Sequence, residues 1–104
     1  MTDVALEGKW KVLRLAGDVD MATGPAIRDA IAMLQEQGHL NLCIDLRRVA
    51  FLDSIGLGVL VAAYKGARRI GGQLRITGAS VQILRLFELS GLSHILGPMP
   101  PTSA

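Results

Sequence analysis

The sequence predicts an α/β domain: a central mixed, mostly parallel β-sheet with an antiparallel strand at its N-terminal edge, packed by about three helices. Three observations predict it. Strand-like and helix-like periodicities follow one another as strand, strand, helix, strand, helix, strand, helix, and helical crossovers make the strands they join parallel. Only Glu7-Gly8-Lys9 separates the first two strands, a link that suits an antiparallel hairpin and is too short for a crossover. With 104 residues, 50% hydrophobic and 19% charged, the chain supports one small core and no second one.

Val4-Ala5-Leu6 and Trp10 to Leu15 are read as the first two strands. Trp10 and Val12 alternate with Lys9 and Lys11, whereas Leu13 and Leu15 alternate with Arg14 in the other phase, which points to a bulge or to a strand covered on both sides. Gly17-Asp18-Val19-Asp20 is read as closing the second strand. Thr23-Gly24-Pro25 opens a helix, since proline suits the first turn; Ile27, Ala30, Ile31 and Leu34 form its apolar stripe and Gly38 ends it. Leu40 to Leu46 is almost continuously apolar, as a central parallel strand is. Arg47-Arg48 stops that run, and a second short apolar stretch leads to Asp53.

A second helix is expected from Ser54 to Arg69, with Leu57, Leu60, Val61 and Tyr64 on its stripe and Gly71-Gly72 as its stop. Gln73 to Thr77 is the next strand. Ser80 caps a third helix that turns Ile83, Leu86 and Phe87 inward and closes at Gly91. Leu92 to Leu96 completes a single domain over residues 1–97, and the proline-rich residues 98–104 carry no folding signal.

Composition narrows the function. Net charge is +2, the eleven basic residues are scattered apart from Arg47-Arg48 and Arg68-Arg69, and aromatics make up 4%, so a nucleic-acid partner is not expected. Cys43, the single cysteine, lies in an apolar run and reads as a buried structural thiol. No stretch is apolar enough to act as a signal peptide or membrane span, so a cytoplasmic protein, with no membrane partner and monomeric by itself, is expected.

The most telling chemistry is Asp53-Ser54 at the start of the glycine-flexed second helix. A hydroxyl at a helix N-terminus sits where orphan N–H groups and the positive end of the helix dipole favour added negative charge. It is prepared to carry a phosphate. The plainer readings are Ser54 as an N-cap, Asp53 as a first-turn acid, Asp18 and Asp20 as turn or cap residues, and Tyr64, Phe51 and Phe87 as core.

Catalysis finds little support. A nucleophile elbow needs glycine where Leu52 stands, and nothing in the sequence brings His39 or His94 to Ser54. A dinucleotide fingerprint starting at Gly56 needs glycine where Val61 stands. Two isolated histidines and one cysteine give no metal spacing, so no cofactor, no metal and no enzymatic activity are expected.

Residues 49–60, Val-Ala-Phe-Leu-Asp-Ser-Ile-Gly-Leu-Gly-Val-Leu, resemble the signature of STAS domains, the fold shared by sulfate-transporter tails and anti-sigma factor antagonists. Gly17-Asp18-Val19-Asp20 is similar to that family's Gly-Glu-Leu-Asp turn, Gly71-Gly72-Gln73-Leu74 to its glycine pair before a strand, and Val81 to Leu92 to its helix ending in Leu-Ser-Gly-Leu. The resemblance runs in order from about residue 4 to residue 96. It implies an anti-sigma factor antagonist: the unphosphorylated form binds a GHKL-type serine kinase that is also the anti-sigma factor, and so frees the sigma factor. Phosphorylation of the serine corresponding to Ser54 ends that binding, and a PP2C-type phosphatase reverses it.

The partner-binding residues implied are Asp18, Asp20, Asp53, Ser54, Ile55, Gly56, Leu57 and Gly58. Ile55 replaces a second Ser or Thr found in many members and removes a rival acceptor; Asp18 replaces the usual Glu and has a shorter reach. Small STAS proteins also serve as structural subunits of lipid-transporting ABC complexes, which is the alternative, and a scaffold in a stress-signalling assembly is a third possibility.

Overall fold

The computed structural model describes residues 2–97, so the C-terminal tail expected over residues 98–104 lies outside them. In chain order the elements are β1 (Thr2–Glu7), β2 (Trp10–Val19), α1 (Gly24–Glu36), β3 (Asn41–Leu52), α2 (Ser54–Arg69), β4 (Gln73–Thr77), α3 (Val81–Leu89) and a 3-10 turn at Ser93–Ile95. The sheet order is β1-β2-β3-β4, with β1 antiparallel to β2 and the remaining pairs parallel. This is the mixed sheet, edge strand and helix count that the sequence predicts.

Each crossover steps one strand in the same direction, so right-handed connections place α1 and α2 on one face. There Ile27, Ile31, Leu34, Leu60, Ala63, Ala67, Ile83 and Phe87 pack with the alternate strand residues Leu13, Leu15, Leu42, Ile44, Leu46, Leu74 and Ile76. The opposite parity, Trp10, Val12 and Cys43, forms a smaller cluster on the other face. The phase change in β2 is therefore a strand covered on both sides, and the ladder also slips between Arg14 and Ala16.

Four expectations need correction. β3 does not stop at Arg47-Arg48 but runs to Leu52 beside β2, which ends at Val19 within the expected Gly17–Asp20 close, because register slips between Arg14 and Ala16 and between Gly17 and Asp18 absorb the polar residues without ending the ladder. On α2 the buried face is Gly56, Val59, Leu60, Ala63 and Ala67; Leu57, Val61 and Tyr64 pack at its margin. On α3, Leu86 is likewise marginal, while Ile83 and Phe87 are buried. Phe51 is exposed rather than core, since the inward positions beside it are Val49 and Leu52.

Among the described residues no helix covers the second face. Side chains do so instead: the Arg75 guanidinium lies 4.3 Å from the Trp10 ring centre, and Arg47 lies against Asp45. Asp45 is only 3% exposed in its side chain and is fully engaged. Arg47 donates from Nε at 3.1 Å and Nη2 at 2.9 Å to Oδ2, and its backbone N–H donates to Oδ1 at 2.9 Å. Gly78, with φ +73, makes room, because a Cβ there would collide with Arg47 Cγ.

Burial acts to raise the Asp45 pKa, but the hydrogen bonds and charge of Arg47, with the charge of Arg14, outweigh it and hold the carboxyl below its ordinary value. Burial, with the neighbouring Asp45 charge, pushes the Cys43 thiol up to about 11.

The folded state thus binds the Asp45 proton less tightly than the unfolded chain, so this group stabilises fully above its unfolded pKa and loses that contribution as pH falls below about 4. Urea unfolding from about pH 6 down to about pH 3 is expected to show a falling midpoint for the parent and a shallower fall for Asp45→Asn. Parallel curves would assign the acid sensitivity elsewhere.

Candidate functional site

The C-terminal ends of β2 and β3 and the first turn of α2 meet at one edge of the sheet. Asp53 joins them: its backbone N–H donates to the Val19 carbonyl at 3.2 Å, and its own carbonyl accepts from Leu57 N–H at 2.9 Å to open the helix. Its side chain is the N-cap, with Oδ1 accepting from Gly56 N–H at 2.8 Å. The cap is therefore Asp53 and not Ser54, which corrects the plainer reading of that serine.

Ser54 occupies the first helical position and is exposed, and among the described residues no hydrogen bond engages its hydroxyl. Its N–H and that of Ile55 lie in the first turn, where backbone donors have no intrahelical acceptor. An anion added at the hydroxyl would sit at the positive end of a sixteen-residue helix.

The candidates divide by role. Asp18 is exposed, is paired across the ladder with Phe51, and offers its backbone carbonyl to Thr23 Oγ1 at 2.8 Å. The Asp20 carboxylate turns back into its own loop, accepting from the N–H groups of Ala22 at 2.9 Å and Thr23 at 3.0 Å, so it fixes the approach to α1. Gly56 is buried: a Cβ there would overlap the Val19 carbonyl oxygen and come 2.8 Å from Leu52 Cδ1. Its missing side chain serves packing inside the domain. Gly58 is exposed with open space where a Cβ would stand, and it does leave the first turns bare.

Sequence reasoning placed Ile55 and Leu57 at this edge but missed its other apolar residues, Met21 and Phe51. Met21 is 70% exposed, Phe51 52% and Ile55 47%. A groove of about 350 Å³ runs from Ser54 along Leu57, Gly58 and Val61 to Lys65, with Leu92 on its far wall. The legible signal for Phe51 was its place one residue before the inward Leu52, since strand neighbours face opposite ways. Among the described residues no histidine, cysteine, aspartate or glutamate cluster could hold a metal ion, and no helix is long and apolar enough to cross a membrane.

This geometry has known relatives. A family model described as "Mlab, STAS domain" matches residues 2–98. An anti-sigma-B factor antagonist from Listeria monocytogenes is 40% identical over 82 residues, spanning 79% of this chain and 72% of the relative. The chain belongs to the anti-sigma factor antagonists of the STAS family.

Solved STAS structures agree with the fold. An anti-sigma factor antagonist from Mycobacterium paratuberculosis superposes with a TM-score of 0.84 at 29% identity, covering 96% of this chain and 85% of that one. The antagonist SpoIIAA matches in its unphosphorylated form with a TM-score of 0.82 and in its phosphorylated form with 0.76, each at 22% identity and 95% of this chain, covering 88% and 91% of those chains. Both forms of that protein keep the STAS fold.

Gly56 and Gly58 separate packing from access. Alanine at Gly56 is expected to destabilise by about 1–3 kcal/mol despite better helix propensity. Alanine at Gly58 is expected to be neutral or to stabilise by up to about 1 kcal/mol. Chemical denaturation of the two variants measures both, and equal effects would contradict the seating of α2 on Val19.

Proposed function

We propose that this STAS domain is a phosphorylation-controlled antagonist: unphosphorylated, it docks through the Ser54 edge onto an anti-sigma factor, and a phosphate on Ser54 ends the contact. The observation that carries this is the division of labour at the helix start. Asp53 takes the capping role, so the neighbouring hydroxyl is exposed, uncommitted and available to a kinase.

The docking surface combines Asp18, Asp53, Ser54, Ile55, Leu57 and the bare Gly58, with Met21 and Phe51 as exposed apolar anchors. Apolar contact supplies affinity, and the carboxylates set what may approach. The partner assigned is a GHKL-type serine kinase acting as the anti-sigma factor, and a PP2C-type phosphatase restores the unmodified hydroxyl. Those two assignments follow the family's partner-switching scheme, and the chain itself is assigned substrate rather than catalyst, working in the cytoplasm.

Phosphate adds roughly −1.5 to −2 charges beside Asp53, with three acceptor oxygens. Within the domain the helix N-terminus accommodates that charge, so the fold persists. Across a desolvated interface it meets the carboxylate and a lost apolar fit. A penalty of about 3 kcal/mol weakens binding more than a hundredfold.

Incubation with the cognate kinase and ATP, followed by peptide mass mapping, is expected to place a single phosphate on Ser54. Ser54→Ala should keep partner affinity and lose modification, while Ser54→Asp should weaken affinity by about tenfold or more with unfolding stability changed by under about 1 kcal/mol. Phosphate at another residue, or an unweakened Ser54→Asp, would overturn the mechanism; co-purification with an ABC ATPase instead of a kinase would move the chain to the transporter-subunit role.

A further inference from the structure

The groove that opens at Ser54 follows α2 for about three turns. Ser54, Gly58, Val61 and Lys65 stand at i, i+4, i+7 and i+11, which sets them on one line of the helix surface about 16 Å long. Leu57 and Ala62 flank that line, and Leu92 forms the opposite wall. The wall is fixed within the domain: the Leu92 N–H donates to the carbonyl of the fully buried Phe87 at 2.8 Å, after Gly91 turns the chain at φ +70.

Nothing among the described residues requires glycine at Gly58. A Cβ there meets no atom within 4 Å, whereas Gly56 seats on Val19 and Gly66 faces the Gln35 amide. A mid-helix glycine costs about 1 kcal/mol against alanine, so the bare position points to a neighbour outside the domain. Leu57, Val61 and Leu92 are half-buried and leave an apolar flank in the groove. The charge changes sign along it, from Asp53 beside Ser54 to the exposed Lys65 at the far end. Among the described residues no acidic side chain pairs with Lys65.

We propose, resting on the Ser54 docking edge above, that the anti-sigma factor lays an amphipathic helix lengthwise along α2, its apolar face over Gly58 and Ala62 and a carboxylate on the Lys65 ammonium. Small side chains on a groove floor let two helix axes come close, and apolar residues at i, i+3 and i+4 fill such a groove. Lys65 then selects the partner at the end remote from the phosphate. It acts through affinity and not through the chemistry at the hydroxyl.

The test measures binding of the full chain to its cognate anti-sigma kinase, and the kinetics of Ser54 phosphorylation, for Lys65→Glu, Ala62→Glu and Arg69→Glu. All three positions are exposed, and Arg69 lies outside the groove, so its variant reverses the same charge on the same helix as a control. Lys65→Glu is expected to weaken binding about fivefold or more at about 0.1 M salt, less at about 0.5 M, and to raise KM with kcat unchanged. Ala62→Glu should lose about tenfold or more and Arg69→Glu under about twofold. Parent-like binding in Lys65→Glu or Ala62→Glu, an equal loss in Arg69→Glu, or a fall in kcat at unchanged KM overturns the lengthwise helix while Ser54→Asp still weakens binding. A parent that does not bind the kinase, or an unweakened Ser54→Asp, overturns the docking edge itself and this helix with it.

Discussion

Everything at the Ser54 edge depends on one close approach, the seating of the first turn of α2 on the Val19 carbonyl. Only a residue without a Cβ fits there, and Gly56 supplies it. The same turn is closed by the Asp53 carboxylate on the Gly56 N–H and tied back by the Asp53 N–H on Val19. Two hydrogen bonds and one absent methyl therefore fix where the backbone presents Ser54 at the helix start. A rigid seat of this kind allows a covalent change to alter the surface while the core beneath is untouched.

Much of this architecture was legible in the sequence because its signals are local. The Leu42–Leu46 run, the i, i+3, i+4 stripe of α1 and the Ser80 cap each follow from neighbours within a few residues, and each is present. Errors arose where the sheet ladder, a non-local feature, overrode composition. Arg47-Arg48 looks like a strand end, yet the buried Asp45 anchors Arg47 and the slip near Arg14 carries β3 onward. Phe51 looks like core, but its parity in the extended strand sends it to solvent.

The candidate site was legible to a similar depth. Asp53 and Ser54 stand together at the helix start as expected, but which of them caps depends on backbone geometry that no spacing encodes. Asp20 and Gly56 carry structural roles that their residue types do not reveal, holding the loop and the helix in place. The apolar anchors were invisible because hydrophobic residues in a small α/β chain are presumed to be interior.

The fate of the sole thiol has a wider meaning. Cys43 is enclosed at the middle of the sheet and held protonated well above neutral pH, so it is a poor nucleophile and a poor target for peroxide. Among the described residues, direct oxidation therefore falls first on exposed thioethers such as those of Met21 and Met33, and not on the thiol.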